Sequence, residues 1–295
     1  MIKVKQKELL KYGQDILKQN EIEDAKIKAK LLLNYILNQT SDQFFINDEK
    51  EVEEEKYLKY NEGIKLIIQG KPLQYIVNKQ EFMGHKFYVD ENVLIPQPDT
   101  EVLVETAIRL IVKGIKDISD DKKTKQQINI LDLCTGSGNI AISLAKYVEN
   151  AKIIATDISE KALDVAIKNA KINNVYNKIE FIKSDLFEKL EEMEFDYIIS
   201  NPPYIKSEEI LKLSKEVQNE PKIALDGGKD GLEFYRKIFK KAPEFLKDKG
   251  YLILEIGFDQ AQQIIEIYNK EEFSQVGNII KDYGGNDRVV IFRKK

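Results

Sequence analysis

The chain has 295 residues, 42% hydrophobic and 33% charged, with 46 Lys+Arg against 50 Asp+Glu. That length suits about two domains with sizeable cores, and the net charge of -4 argues against a nucleic-acid partner, which selects basic surfaces. The single cysteine, Cys134, excludes an intramolecular disulfide and the single histidine, His85, argues against a zinc cluster; with no apolar run of about 18 residues and no signal-peptide core, a soluble cytoplasmic protein with no membrane partner is expected.

Residues 1–70 carry helical periodicity alone. Leu9, Leu10, Ile16 and Leu17 share one face, then Ala25, Ala29, Leu32, Leu33 and Ile36, then Tyr57, Tyr60, Ile64, Ile67 and Ile68. The acidic run EKEVEEEK reads as a solvated helix face. Gly70 followed by Pro72 is a stop, because glycine accepts a left-handed cap and proline cannot continue a helix. A small helical bundle is expected. From Phe82 the pattern changes, and HKFYVDENVLI reads as two short strands hinged at residues 90–92, a hairpin. Pro96 and Pro98 interrupt the chain, and Asp99 or Thr100 can cap a helix carrying Leu103, Ala107 and Leu110. DISDDKKTKQQ follows as a solvated linker.

Apolar runs then alternate with helical patterns. Strands are predicted over 128–133, 152–156, 179–183, 197–200, 251–256, 273–280 and 289–293, and helices over 140–147, 160–172, 232–246 and 260–268. Such alternation builds a mostly parallel sheet covered by helices on both faces. Only the turn DYGGND separates the last two strands, which can therefore pair antiparallel at one sheet edge.

ILDLCTGSGNIAISLA is strand, glycine turn, helix. Gly136 and Gly138 let the backbone turn tightly and approach a ligand, and the following helix offers free N–H groups to it. Gly136-x-Gly138-x-x-Ala141 also fits a relaxed dinucleotide fingerprint, and Asp157, 21 positions after Gly136, can accept both hydroxyls of a ribose. NAD and S-adenosylmethionine both present that ribose, so the turn alone leaves both open. Asp132 leans towards S-adenosylmethionine, since an acid repels a pyrophosphate but tolerates a sulfonium and an amine. The Gly-Lys-Ser/Thr ending of a P-loop is absent, and Ser137 is not framed as Gly-x-Ser-x-Gly. Cys134 reads as a small turn residue, because only the distant His85 could activate it. Asp185 follows the third strand, where it can accept from an adenine amino group or cap a turn; Leu186 and Phe187 can pack on the ring.

IISNPPYIK ends a buried strand on a rigid corner. Pro202 and Pro203 have no N–H, so the corner offers carbonyls, and Asn201 adds a side-chain carbonyl. Two adjacent acceptors suit a substrate NH2 group, whose delocalised lone pair is aimed when both protons are held and whose developing positive charge is stabilised. Tyr204 offers a flat surface to a planar group. Glycine turn and proline corner both follow parallel strands and so share the carboxyl edge of the sheet.

Asp132-Leu133-Cys134-Thr135-Gly136-Ser137-Gly138, Asp157 and Asn201-Pro202-Pro203-Tyr204 together resemble the class I S-adenosylmethionine methyltransferases of planar amides and amines. KPLQYIVNKQEFMGHKFYV, VLIPQPDTEVLVE and DYGGNDRVV, with the helical N-terminal part, narrow the likeness. Over essentially the whole chain it resembles the release-factor glutamine methyltransferases, the PrmC or HemK family. The resemblance implies a seven-stranded, mostly parallel Rossmann-like α/β sheet with an antiparallel last strand. It implies an N-terminal helical substrate-recognition domain (1–80), a linking β-hairpin (81–98) and a methyltransferase domain (99–295). It implies methyl transfer from S-adenosylmethionine to the glutamine amide of a Gly-Gly-Gln motif in peptide-chain release factors. Cys134, Thr135, Gly136, Ser137 and Gly138 would cradle the cofactor, Asp157 would hold its ribose, and Leu186 and Asp185 would lie by the adenine. Asn201, Pro202, Pro203 and Tyr204 would hold the glutamine amide, with no metal. Gln97 stands where the family has arginine, and Cys134 where it has glycine. Asn-Pro-Pro-Tyr is shared with adenine N6 methyltransferases and ribosomal-protein glutamine methyltransferases, which are the alternatives.

Overall fold

A computed structural model describes residues 4–117 and 127–295. The predicted solvated linker lies almost wholly outside the described residues. Two compact units emerge: Met1–Asn78 with Ser214–Asn219, and Lys79–Leu213 with Glu220–Lys295. Among the described residues no helix is long and apolar enough to cross a membrane.

The first unit is helical, with α1 (Gln6–Gln19), α2 (Ala25–Leu37), α3 (Ser41–Asn47), α4 (Glu54–Ile68) and α5 (Leu73–Val77). Leu9 and Leu17 of α1, Ala29, Leu32 and Leu33 of α2, and Tyr60, Ile64 and Ile67 of α4 close its core, as their three- and four-residue spacings require. Thr40 caps α3 through its hydroxyl, which accepts from the Gln43 N–H, and the Gln43 side chain accepts from the Thr40 N–H, a capping box. Gly70, with φ +94°, ends α4 as predicted. The acidic run is not one helix face. Glu54 starts α4, whereas Glu49 precedes it and pairs with Lys5 at 2.8 Å and with Lys7, and Val52 is buried. The segment Ser214–Asn219 belongs to this unit: Glu216 pairs with Lys28, and the Asn219 amide donates to Gly70 O at 3.1 Å.

The second unit opens with a hairpin, β1 (Gln80–Phe82) and β2 (His85–Phe87), in which Phe82 faces His85. Its turn is Met83-Gly84, with φ +50° and +71°, the two positive values a two-residue turn between twisted strands needs. The hairpin expected around residues 90–92 is therefore misplaced. There the Asp90 carboxylate accepts from the Asn92 N–H and side-chain amide at 3.0 Å each, a local turn that needs no strands.

α6 (Pro98–Asp117) begins on Pro98 itself, since a first-turn N–H has no helical partner to lose. Asp99 and Thr100 are thus inside the helix rather than capping it, and both are free for tertiary contacts. Then come β3 (Ile128–Leu133), α7 (Asn139–Tyr147), β4 (Ala151–Asp157), α8 (Glu160–Ile172), β5 (Ile179–Lys183) and β6 (Phe195–Ser200). After β6 follow α9 (Lys215–Gln218), α10 (Lys222–Leu225), α11 (Glu233–Phe245), β7 (Leu246–Glu255), α12 (Ala261–Ile267), β8 (Phe273–Gln275), β9 (Ile280–Lys281) and β10 (Asp287–Lys294).

The sheet order is β5-β4-β3-β6-β7-β10-β8, with β9 also on β10. β3 to β7 are parallel, and β10 runs antiparallel to β7, β8 and β9. Among the described residues the sheet has eight strands rather than seven, because the strand predicted over 273–280 breaks at Gly277, where φ is +68°. Alternate residues face opposite layers. Ile130, Ile199, Ile253 and Val289 meet α6 and α7, whereas Leu131, Ile198, Leu252 and Phe292 meet α11. Both faces are apolar, so the strands read as continuous hydrophobic runs.

Candidate active site

The chain leaves β3 for β4 on one side and later returns to β6 on the other, so the order reverses between β3 and β6. Crevices form beyond the carboxyl ends of strands at such a switch point. Leu133 pairs with Ser200, and the Ser200 hydroxyl donates to Leu133 O at 2.8 Å. The glycine turn and the proline corner therefore start side by side.

Asp132 is fully buried beneath the turn. It accepts from the Thr135 hydroxyl at 2.6 Å and from the Ala141 N–H at 3.1 Å, and burial pushes its carboxyl up to about 7. It thus clamps the turn to the start of α7. Cys134 has φ +60°, the left-handed region that glycine favours, and burial pushes its thiol up, away from nucleophilic chemistry. Gly136 has φ +53°, and a Cβ there would meet nothing within 4 Å, so open space begins at its backbone. A Cβ on Gly138 would lie 3.0 Å from Ile142 and 3.1 Å from Ala166, which explains glycine where α7 meets α8.

Asp157 ends β4. Its Oδ2 accepts from the Gly136 N–H and its Oδ1 from the Ser159 N–H, each at 2.9 Å. Burial raises this carboxyl, against those N–H donors. Beyond β5, the Ser184 N–H donates to Asp157 O and its hydroxyl to Leu186 O, at 3.0 and 2.9 Å. Leu186 has φ +48°. Phe187, expected beside the base, is not part of the crevice wall and stacks on Phe245 with ring centroids 4.9 Å apart.

At the proline corner, the Asn201 side-chain NH2 donates to the Thr100 hydroxyl at 3.1 Å. Pro202 and Pro203 are buried. Gln260 donates from its amide to Tyr204 O at 2.9 Å and accepts from the Gly257 N–H at 2.9 Å. A Cβ on Gly227 would lie 2.7 Å from Tyr204 Cα, so this glycine lets the 226–231 loop back directly onto the corner. Arg288, buried, pairs with Asp282 at 2.9 Å and Asp99 at 3.1 Å and reaches the Tyr204 hydroxyl at 3.5 Å. Glu255 is 1% exposed and pushed by burial up to about 7, which the nearby Thr100 and Asn201 side chains partly oppose. Thr100, Glu255, Gln260 and Arg288 were not read from sequence as part of this site. The quoted stretches PQPDTE and DYGGNDR carried two of them without assigning a role.

A cavity of about 290 Å³ opens between turn and corner. Cys134, Gly136, Asp157, Asp185, Leu186, Asn201 and Pro203 line it, with Leu94, Ile158, Ala162 and Phe234. Thr135, Ser137, Gly138, Pro202 and Tyr204 stand outside that lining. Thr135 and Ser137 are buried, and Tyr204 packs into the apolar layer beneath α11. The wall offers one tethered acid beside a bare glycine backbone and an apolar slot, which fits an adenosine ribose and base.

This fold and crevice are those of a Rossmann-like methyltransferase. A methyltransferase from Pyrococcus furiosus has the same fold, with a TM-score of 0.50 at 21% identity, over 72% of this chain and 90% of that one. Residues 107–228 match the Methyltransferase small domain and residues 8–77 the PrmC N-terminal domain. A "Release factor glutamine methyltransferase" of Fusobacterium nucleatum is 39% identical over 95% of this chain and 76% of its own length. One from Clostridium acetobutylicum is 37% identical over 98% of both. A "Bifunctional methyltransferase" of Rickettsia typhi is 38% identical over 96% of this chain, which spans only 56% of it. The chain belongs to the release factor glutamine methyltransferase family. It is an S-adenosylmethionine-dependent methyltransferase, as the resemblance implied.

Proposed function

We propose that this chain methylates the side-chain amide nitrogen of the glutamine in the Gly-Gly-Gln motif of a peptide-chain release factor. The observation that carries the reading is Asn201, which lines one cavity with Asp157 while its amide NH2 is turned back to Thr100. An acceptor for a substrate NH2 and a seat for a ribose thus share one crevice. The family's named relatives supply the substrate class.

Asp157, already holding two backbone N–H groups, keeps lone pairs for the two ribose hydroxyls. Residues 134–138 would lie along the amino-acid part, and Leu186 and Asp185 by the base. S-adenosylmethionine, when bound, supplies a methyl group on cationic sulfur, open to displacement by a nitrogen lone pair. The Asn201 side-chain carbonyl and the Pro202 carbonyl would accept the two protons of the glutamine amide, aim its lone pair and stabilise its growing positive charge. Pro203 and Tyr204 would support the planar amide. The methylated nitrogen then loses one proton to solvent. Residues 1–80 would recognise the release factor, with no nucleic acid in the interface, and such a substrate places the enzyme in the cytoplasm. Asn201→Ala is expected to slow transfer by about 10²–10³, the scale for one preorganised electrostatic partner, and to change cofactor affinity far less. An unchanged turnover on release factor would remove the corner from the mechanism.

A further inference from the structure

From the arrangement around Asn201 we infer that Thr100 and Glu255 are positioning residues for methyl transfer: they hold the Asn201 amide with its nitrogen towards the protein and its carbonyl oxygen towards the substrate. This rests on Asn201 being the substrate's acceptor, as proposed above.

Three distant segments meet here. Ser200 pairs with Leu254 across β6 and β7, so the next residues, Asn201 and Glu255, leave the carboxyl edge of the sheet together. Thr100 comes from the first turn of α6 and is 2% exposed. Asn201 donates from Nδ2 to Thr100 Oγ1 at 3.1 Å. A hydroxyl whose lone pair is so used keeps its own proton to give, and the Glu255 carboxyl, beside Asn201 at the end of the paired strand, has a buried Oε2 left to receive one.

The direction of this chain follows from its end. In its ionised form Glu255 only accepts, so protons then run from Asn201 through Thr100 towards it. Turning the amide over would draw the Thr100 proton onto its oxygen and away from Glu255 and would forfeit the Asn201 donor, whereas an isolated asparagine has little preference between the two orientations. A flipped Asn201 would present NH2 to the substrate's NH2, donor against donor. The surrounding charges do not replace Glu255. Arg288 lies near it but spends its hydrogen bonds on Asp282, Ile256 O and Tyr204, with Asp99 as a further ion-pair partner. The Tyr235 hydroxyl donates to the backbone oxygen of Glu255, not to its side chain.

Glu255 is also costly in its place. Its Oε2 is buried without a hydrogen-bond partner among the described residues, and a buried acid with an unmet oxygen is less favourable than an apolar side chain of like size. Its neighbours on β7, Leu252, Ile253 and Leu254, are all apolar and buried. Packing does not account for an acid at the end of that strand; orientation of Asn201 does.

The test uses the full-length enzyme, a release factor and S-adenosylmethionine. Turnover and KM are measured for Thr100→Val, Thr100→Ser, Glu255→Gln and Asn201→Ala, each referred to the fraction of enzyme that binds cofactor in calorimetry. Thr100→Val and Glu255→Gln are expected to lower kcat by about 10–100-fold, the scale for groups that orient a reacting partner. Cofactor affinity should stay within about twofold, and Thr100→Ser, which keeps the hydroxyl, should retain most of the wild-type rate. Wild-type kcat in Thr100→Val and Glu255→Gln beside a slow Asn201→Ala would overturn this inference and leave the proposed function standing. So would a Thr100→Ser as slow as Thr100→Val, which would make the effect one of packing. Wild-type kcat in Asn201→Ala would instead refute the underlying reading.

Discussion

Cys134 sits at φ +60° in a position where the resemblance led us to expect glycine, and the backbone explains that preference. A side chain in the left-handed region costs about 1–2 kcal/mol. Cys134→Gly removes that strain but loses about 0.5–1 kcal/mol to unfolded-chain entropy and forfeits the contact of the side chain with the apolar layer. The expected net change in unfolding free energy, read from denaturant titration, is within about 1 kcal/mol of zero. Cys134→Val, branched at Cβ, should lose clearly more; a glycine variant that loses as much as the valine one would contradict this account of the turn. Gly136, Asp157 and Asn201 were legible because strand-turn spacing alone sets them on one edge. Thr100 and Arg288 were not. Their partners lie 101 and 84 positions away, and in isolation a threonine near a helix start reads as a cap and an arginine beside a glycine-rich turn as solvated.

Helices and strands were read well where apolar periodicity was long, and α8 matches its predicted bounds, 160–172. The hairpin was misplaced because Met83-Gly84 lacks the usual Asn-Gly or Asp-Gly signal, whereas Asp90-Glu91-Asn92 has turn chemistry without strands to join. Helix packing held a further feature that periodicity does not show. A Cβ on Gly13 of α1 would run into the Tyr60 ring of α4. Alanine there gains about 1 kcal/mol of helix propensity against about 1–3 kcal/mol of overpacking. Gly13→Ala should therefore lower stability, although alanine is the better helix former. The nearest atom to the added Cβ is the Tyr60 hydroxyl oxygen, so the loss should shrink in a Tyr60→Phe background, a coupling that a double-mutant cycle by chemical denaturation resolves. A stabilised Gly13→Ala would show that α1 and α4 are not packed this tightly.

Across the whole molecule, cofactor binding and release-factor recognition are expected to divide by unit. The crevice is built entirely from the second unit, while the first contributes a helical surface with exposed Ile27, Leu31 and Tyr35 on α2. A chain beginning at Lys79 is expected to bind S-adenosylmethionine with little change. On an intact release factor it should lose on the order of tenfold or more in kcat/KM, about 1.4 kcal/mol of recognition, while a short Gly-Gly-Gln peptide is methylated much as by the full chain. Equal loss on both substrates would deny the first unit a part in recognition. The substrate is the central claim, since the corner suits any NH2 on a planar group. Its test is to incubate the full-length enzyme with methyl-labelled S-adenosylmethionine, a release factor and duplex DNA, then map the label by peptide and nucleoside mass spectrometry. The predicted result is one methyl on the side-chain nitrogen of the Gly-Gly-Gln glutamine, abolished when that glutamine is changed to glutamate; an unlabelled release factor beside methylated adenine would contradict it.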